Sequence, residues 1–270
     1  MTDPSAAVRS SGAVSTSTPP TPIPRLYRIR RSFVVLAGEN GPVLGPLTTT
    51  DVGDRPVLVI PLGATEQHGP HLPLDTDARI ATAWAELVQE RLAPTVSAPI
   101  LVAPTLNYGS SGEHAGFPGT MSIGSDVAAL VMVELARSVR EWAGPLIFLS
   151  GHAGNHRAMQ QALETMRFEG DRAIAVVPVL ANSDAHAGRT ETSLMLHIAP
   201  DLVQLERAAP GRTEPIRELI DELRASGVQV VSPSGVLGDP AGASASEGAE
   251  LLDRLVHHAL GQISATSILD

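Results

Sequence analysis

Cysteine is absent from this 270-residue chain, which excludes disulfides, thiolate nucleophiles and sulfur-ligated metals. That absence fits a reducing compartment, and a cytoplasmic location is expected. Aromatic residues make up only 3% of the chain, too few for a base-stacking platform. Positive charge is also short. The 19 Lys and Arg stand against 29 Asp and Glu, a net charge of −10, so neither nucleic acid nor an anionic membrane surface is expected as a partner. No run of about 18 apolar residues occurs, so no membrane-spanning helix is expected. What is present is 43% apolar content in a chain long enough to bury a full core, expected here as a single domain.

Residues 1–31 stand apart. Their Ser/Thr/Pro run up to Pro24 lacks the apolar centre of a secretion signal and reads as a disordered tail. Arg25, Arg28, Arg30 and Arg31 read as a solvated linker into a folded domain over 32–270. Within that domain, strand-like runs at 56–62, 100–106, 145–150, 174–180 and 228–232 alternate with helical periodicity at 76–92, 127–142, 155–168, 214–225 and 247–263. The alternation predicts an α/β fold, a mostly parallel sheet with helices on both faces.

The polar residues are concentrated where strand-like runs end. Glu66-Gln67-His68-Gly69-Pro70-His71-Leu72-Pro73-Leu74-Asp75-Thr76-Asp77 follows the first such run. In extended backbone, Glu66 and His68 point to one side. Asp75 reads as a helix cap and His71 as a polar loop residue. A second apolar run ends in Gly151-His152-Ala153-Gly154-Asn155-His156, and a third leads to Asp184-Ala185-His186-Ala187-Gly188-Arg189-Thr190-Glu191-Thr192. Ligands of open parallel sheets bind outside the carboxyl ends of the strands, so these loops are expected to converge on one crevice.

Histidine, aspartate and glutamate suit Zn2+, Fe2+ or Mn2+, and the imidazoles argue against a calcium cage. There are enough carboxylates for two divalent ions sharing one bridging Asp, an arrangement that lowers the pKa of a bound water and supports hydrolysis. No G-x-S-x-G elbow is present, and Ser150 reads as a strand end. In the glycine-rich loop Asn107–His114, Ser110 and His114 are candidate substrate contacts, with an internally bonded loop as the alternative. Asn155 and His156 either touch substrate or start the next helix. Gly235–Gly248 reads as a flexible connection more than as a lid.

Four segments, Glu66–Leu74, Glu113–Thr120, Gly151–Asn155 and His186–Ser193, together resemble the creatininase family of binuclear amidohydrolases, and the resemblance spans about residues 33 to 260. It implies an α/β fold in which Glu66 and His68 bind different metals, Asp77 bridges them and His152 joins Glu66. It also implies a homo-oligomer, hexameric or larger. Creatininase proper is similar but carries a glutamate at the position of Gly154. Glu191, five residues after His186, is therefore the candidate carboxylate for the second metal, and Gly154 is expected to leave room for a larger substrate. With the metal positions filled, His186 is the expected proton shuttle.

Within the family, the run Val59–Ala81 looks most like the mycofactocin-system branch. That resemblance implies a peptidase that releases a C-terminal Val-Tyr dipeptide from a modified precursor peptide, with Arg79 or Arg189 available for the terminal carboxylate. Hydrolysis of a small cyclic amide or formamide is the nearer alternative, and a catalytically silent metal-binding scaffold the more distant one.

Overall fold

The computed structural model describes residues 42–181 and 183–270; the expected tail over 1–31 lies outside them. Strands β1 (Val57–Leu62), β2 (Ile100–Val102), β3 (Leu146–Ser150) and β4 (Ala173–Val176) form one sheet in the order β2-β1-β3-β4. Every pairing is parallel, with Val59 opposite Val102 on one side and Ile147 on the other. β1 and β3 are central and buried along their whole length, as their unbroken apolar runs require.

Helices α1 (Thr76–Leu92), α2 (Ser125–Val139), α3 (His156–Phe168), α4 (Arg189–Ile198), α5 (Ile216–Ser226), α6 (Val228–Val231) and α7 (Ala245–Ala265) complete the chain. Successive strand residues point to opposite faces. Val57 and Val59 of β1, with Ile147 and Leu149 of β3, pack against α1, α4 and α7. Leu58, Ile60, Leu146 and Phe148 pack against α2 and α3. The expected α/β fold with helices on both faces is therefore present.

Several expectations fail. Residues 228–231, expected within a strand at 228–232, form the short helix α6. Val228 and Val231 are buried while Gln229 and Val230 are exposed, a spacing of three that suits a helical turn packed on Leu219, Leu223 and Leu237. Conversely, the segment after Gly188, expected as a loop, is helix α4 and begins two residues before Glu191. Gly235–Gly248 is not a loose connection at its start. Val236 and Leu237 are buried, and Leu237 exchanges backbone hydrogen bonds with His186 at 2.8 and 3.1 Å.

Two glycines position the site. A Cβ on Gly63, after β1, would collide with the Ala78 backbone, and one on Gly151, after β3, would collide with the Asp77 carbonyl. The first turn of α1 thus rests directly on the ends of the two central strands, which holds Asp77 over them.

Candidate metal centre

The loops after β1 and β3 and the entry to α4 converge at the carboxyl end of the sheet. Glu66, His68, Asp77, His114, His152 and His186 are all buried. The two oxygens of Asp77 face different imidazoles: Oδ1 lies 3.2 Å from His68 Nε2, and Oδ2 lies 3.4 Å from His152 Nδ1. Glu66 Oε1 is 3.3 Å from His152 Nδ1, and Glu191 Oε2 is 3.7 Å from His68 Nε2. Three groups of three follow, Glu66 with Asp77 and His152, His68 with His186 and Glu191, and Glu66 with His114 and His186, each with donor atoms close enough for one ion.

The donors fit divalent cations. Both oxygens of Glu66 and Oδ2 of Asp77 are buried with no hydrogen-bond partner. Carboxylate oxygens stranded in this way cost several kcal/mol unless a cation compensates them. Burial raises Glu66 to about 8 despite His152, and raises Glu191 to about 7 despite His68. Burial disfavours the His68 and His152 imidazolium ions, yet the surrounding carboxylates outweigh it, pushing His68 up to about 10 and His152 up to about 9. The cluster demands positive charge, and cations would supply it in exchange for those protons.

Hydrogen bonds behind the rings set which nitrogen each presents. His68 Nδ1 donates to the Glu66 carbonyl at 3.1 Å, His152 Nε2 to the Ser110 carbonyl at 3.0 Å and His186 Nε2 to the Gln67 carbonyl at 2.8 Å. Each leaves its other nitrogen facing the carboxylates. His114 is reversed. Gln67 Oε1 accepts from Gly69 N–H, so its amide donates, at 2.8 Å, to His114 Nδ1 and places the proton on Nε2. That nitrogen faces Glu66 Oε1 at 3.4 Å without hydrogen-bonding it. Burial, then His152 and His68, hold His114 down at about 3, so it remains neutral.

The other sequence candidates divide. Ser110 bonds Ser125 through its hydroxyl at 2.7 Å, and its N–H donates to Asn155 Oδ1 at 2.9 Å. Asn155 also donates to the Gly63 carbonyl, so the two residues brace the loop behind His152. His156 begins α3 and is exposed. His71 is not a surface loop residue: it is buried and bonded to Thr192 Oγ1 at 2.9 Å. Asp75 makes no side-chain cap and pairs with Arg79 at 2.7 Å. Arg189 is held by Glu247 at 2.8 Å.

Gly154 does not open space. A Cβ there would collide with His152 Nε2 and Glu113 Oε1 and lie 2.7 Å from the Ser110 carbonyl. Glu113, 3.5 Å from His152 Nε2, and Gln67 were missed as site residues. Their only signal was adjacency to His114 and His68.

The family model described as creatinine amidohydrolase matches residues 46–263. The chain belongs to the creatininase family. Mycofactocin precursor peptide peptidase of Mycolicibacterium smegmatis is 46% identical over 202 residues, covering 75% of this chain and 82% of that protein. The Mycobacterium ulcerans protein of the same name is 44% identical, over 83% of this chain and 92% of its own. Creatinine amidohydrolase of Pseudomonas putida is 33% identical over 56% of this chain and 67% of its own. A crystal structure of creatinine amidohydrolase superposes with a TM-score of 0.67 at 26% identity, over 84% of this chain and 98% of that one. Manganese and zinc–zinc forms of creatininase superpose at a TM-score of 0.65. The creatininase-family chain is thus a hydrolase of amide bonds. Among its described residues no helix is long and apolar enough to cross a membrane.

Proposed function

We propose that this hydrolase holds two divalent ions, Zn2+, Fe2+ or Mn2+, and releases a C-terminal Val-Tyr dipeptide from a modified precursor peptide in mycofactocin biosynthesis. The observation that carries the metal reading is the set of unpartnered buried oxygens on Glu66 and Asp77, flanked by imidazole nitrogens whose opposite sides are already bonded. Glu66 and His152 would hold one ion and His68 and Glu191 the other, with Asp77 shared between them. When bound, the pair supplies Lewis acidity and brings a water's pKa toward neutrality.

The chain's own groups do the rest. His186 Nδ1 lies 3.7 Å from Glu66 Oε1 and 3.9 Å from Glu191 Oε2. It takes the proton released when water adds to the amide carbonyl and delivers it to the amine nitrogen as the C–N bond breaks. His114 faces Glu66 with its Nε2, and Gln67 fixes the tautomers of His114 and His186 together. Ser110 and Asn155, the candidate substrate contacts, shape the wall behind His152. The peptide substrate is supported by the relatives named mycofactocin precursor peptide peptidase, at 44–46% identity. The enzyme works in the cytoplasm as a homo-oligomer, a state that light scattering would check.

Incubating metal-loaded enzyme with modified peptide, unmodified peptide and creatinine, then identifying products by mass, tests the reading. Release of the dipeptide is expected. Fast turnover of creatinine with no dipeptide would restore the small-amide alternative.

A further inference from the structure

A cavity of about 560 Å³ adjoins the centre, with His114, His152, His186 and Glu191 in its wall, a size that suits a short peptide segment. Four of the other lining residues, three of them apolar, come from α5. Ile216, Ile220 and Arg224 all line the cavity. They recur at intervals of four, so they form one stripe along the helix.

Arg224 is the only Arg or Lys among the lining residues. It makes no ion pair among the described residues, whereas its basic neighbours do: Arg212 pairs with Glu214 and Glu222, and Arg217 with Glu218. Of the wall's acids, Glu113 lies 3.5 Å from His152 Nε2 and forms no ion pair with Arg224, and the other two are hydrogen-bonded. Asp184 accepts from the N–H groups of Arg189 and Thr190, and Glu191 accepts, at 2.6 Å, from Ala187 N–H. A cavity with apolar walls and one uncommitted guanidinium suits a ligand with apolar side chains and one carboxylate, which guanidinium binds through two parallel hydrogen bonds.

The position of α5 limits how long that ligand is. Gly227, which ends the helix, has its Cβ position within 3.4 Å of the Glu113 carbonyl. Arg224 lies less than one turn earlier, close to the loop that carries His114. Two extended residues span about 7 Å, so a carboxylate held near this loop belongs to a segment that ends shortly after the cleaved bond.

We propose that Arg224 binds the substrate's terminal carboxylate and that Ile216 and Ile220 flank the side chains of the leaving segment. The proposal rests on the peptidase reading and adds the group that measures the distance from the cleaved bond to the chain end. Arg224 is exposed, so Arg224→Gln should fold and keep its metals.

The test pairs wild type and Arg224→Gln, both metal-loaded, with the substrate peptide as free acid and as C-terminal amide. Wild type is expected to favour the acid by about tenfold or more in kcat/KM, mainly through KM; the variant should lose that preference. Calorimetric binding of free Val-Tyr and Val-Tyr amide supplies the second readout. A preference for the acid that the variant retains, or no preference in wild type, overturns the proposal. If no peptide is cleaved, the peptidase reading fails, while the binding comparison still decides what Arg224 recognises.

Discussion

The two sides of the cavity are built differently. On the sheet side, Glu66, His68, Asp77 and His152 hang from the ends of β1 and β3 and the first turn of α1. Their backbone is paired, and each imidazole is bonded on the side away from the carboxylates. On the other side, α5 and α6 pack through a small separate cluster of Leu219, Leu223, Val228, Val231 and Leu237, and they present Ile216 and Arg224 exposed to the cavity. Chemistry that needs fixed distances is placed on the rigid scaffold. On the proposed reading, recognition of a particular substrate falls to an element whose surface can change without disturbing the candidate metal site.

The contrast can be broken from the sheet side first. Asp77→Ala is expected to lose both metals and to reduce turnover on the order of 10⁴-fold. Metal analysis of the purified variant decides it, since full metal content would remove Asp77 from the bridge. Glu191→Gln comes next, with one metal lost and turnover down on the order of 10³-fold. A metal-loaded structure with Glu191 turned away from both ions would sink that assignment.

His186→Ala should keep both metals and lose on the order of 10²-fold to 10⁴-fold in turnover. Metal loss would make it a ligand instead. Arg224→Gln is the smallest of the four, about tenfold in kcat/KM for the acid peptide with no metal loss. If it too stripped the ions, the division between the two sides would fall.

Proton linkage sharpens the same contrast. Glu66 is raised from 4.5 to about 8, and His68 and His152 from 6.5 to about 10 and about 9. Each holds its proton more tightly when folded, so the metal-stripped protein has their stabilisation in full below the unfolded values and loses it as pH rises through the folded ones. Melting of stripped protein is therefore expected at a lower temperature near about pH 9 than near about pH 6, and bound metal should reduce the difference. Equal melting temperatures in stripped protein at both values would count against this charge pattern.

Much of this was legible in the sequence because the motif residues follow β-branched runs whose role as central strands leaves little freedom. β1 and β3, the two long helices α1 and α7, and the convergence of the loops that carry Glu66 and His152 follow from that pattern, whereas Asp77 was singled out by the family resemblance. Helix α4 was not legible because its buried residues begin with Thr192 and Ser193 before Leu194 and Met195, giving no apolar stripe. The valines of α6 have strand propensity, and only the tertiary cluster they join makes them helical. Gly154 misled for a similar reason: a missing side chain reads as space until the neighbour that fills it, Glu113, is in view. Arg224 carried no signal, since what distinguishes it is the company it lacks.

Gly63 and Gly151 matter beyond their own turns. With helix backbone seated on strand ends at these two points, the gap between α1 and the sheet is set by a hydrogen atom on each glycine. A methyl group at either would act as a shim, lifting Asp77 away from Glu66 and His152 while changing none of the candidate ligand side chains. The spacing of the candidate ligands is thus a manufactured length, gauged by main chain against main chain. A variant such as Gly151→Ala would be a metal-site mutation in a residue that has no metal-binding atom.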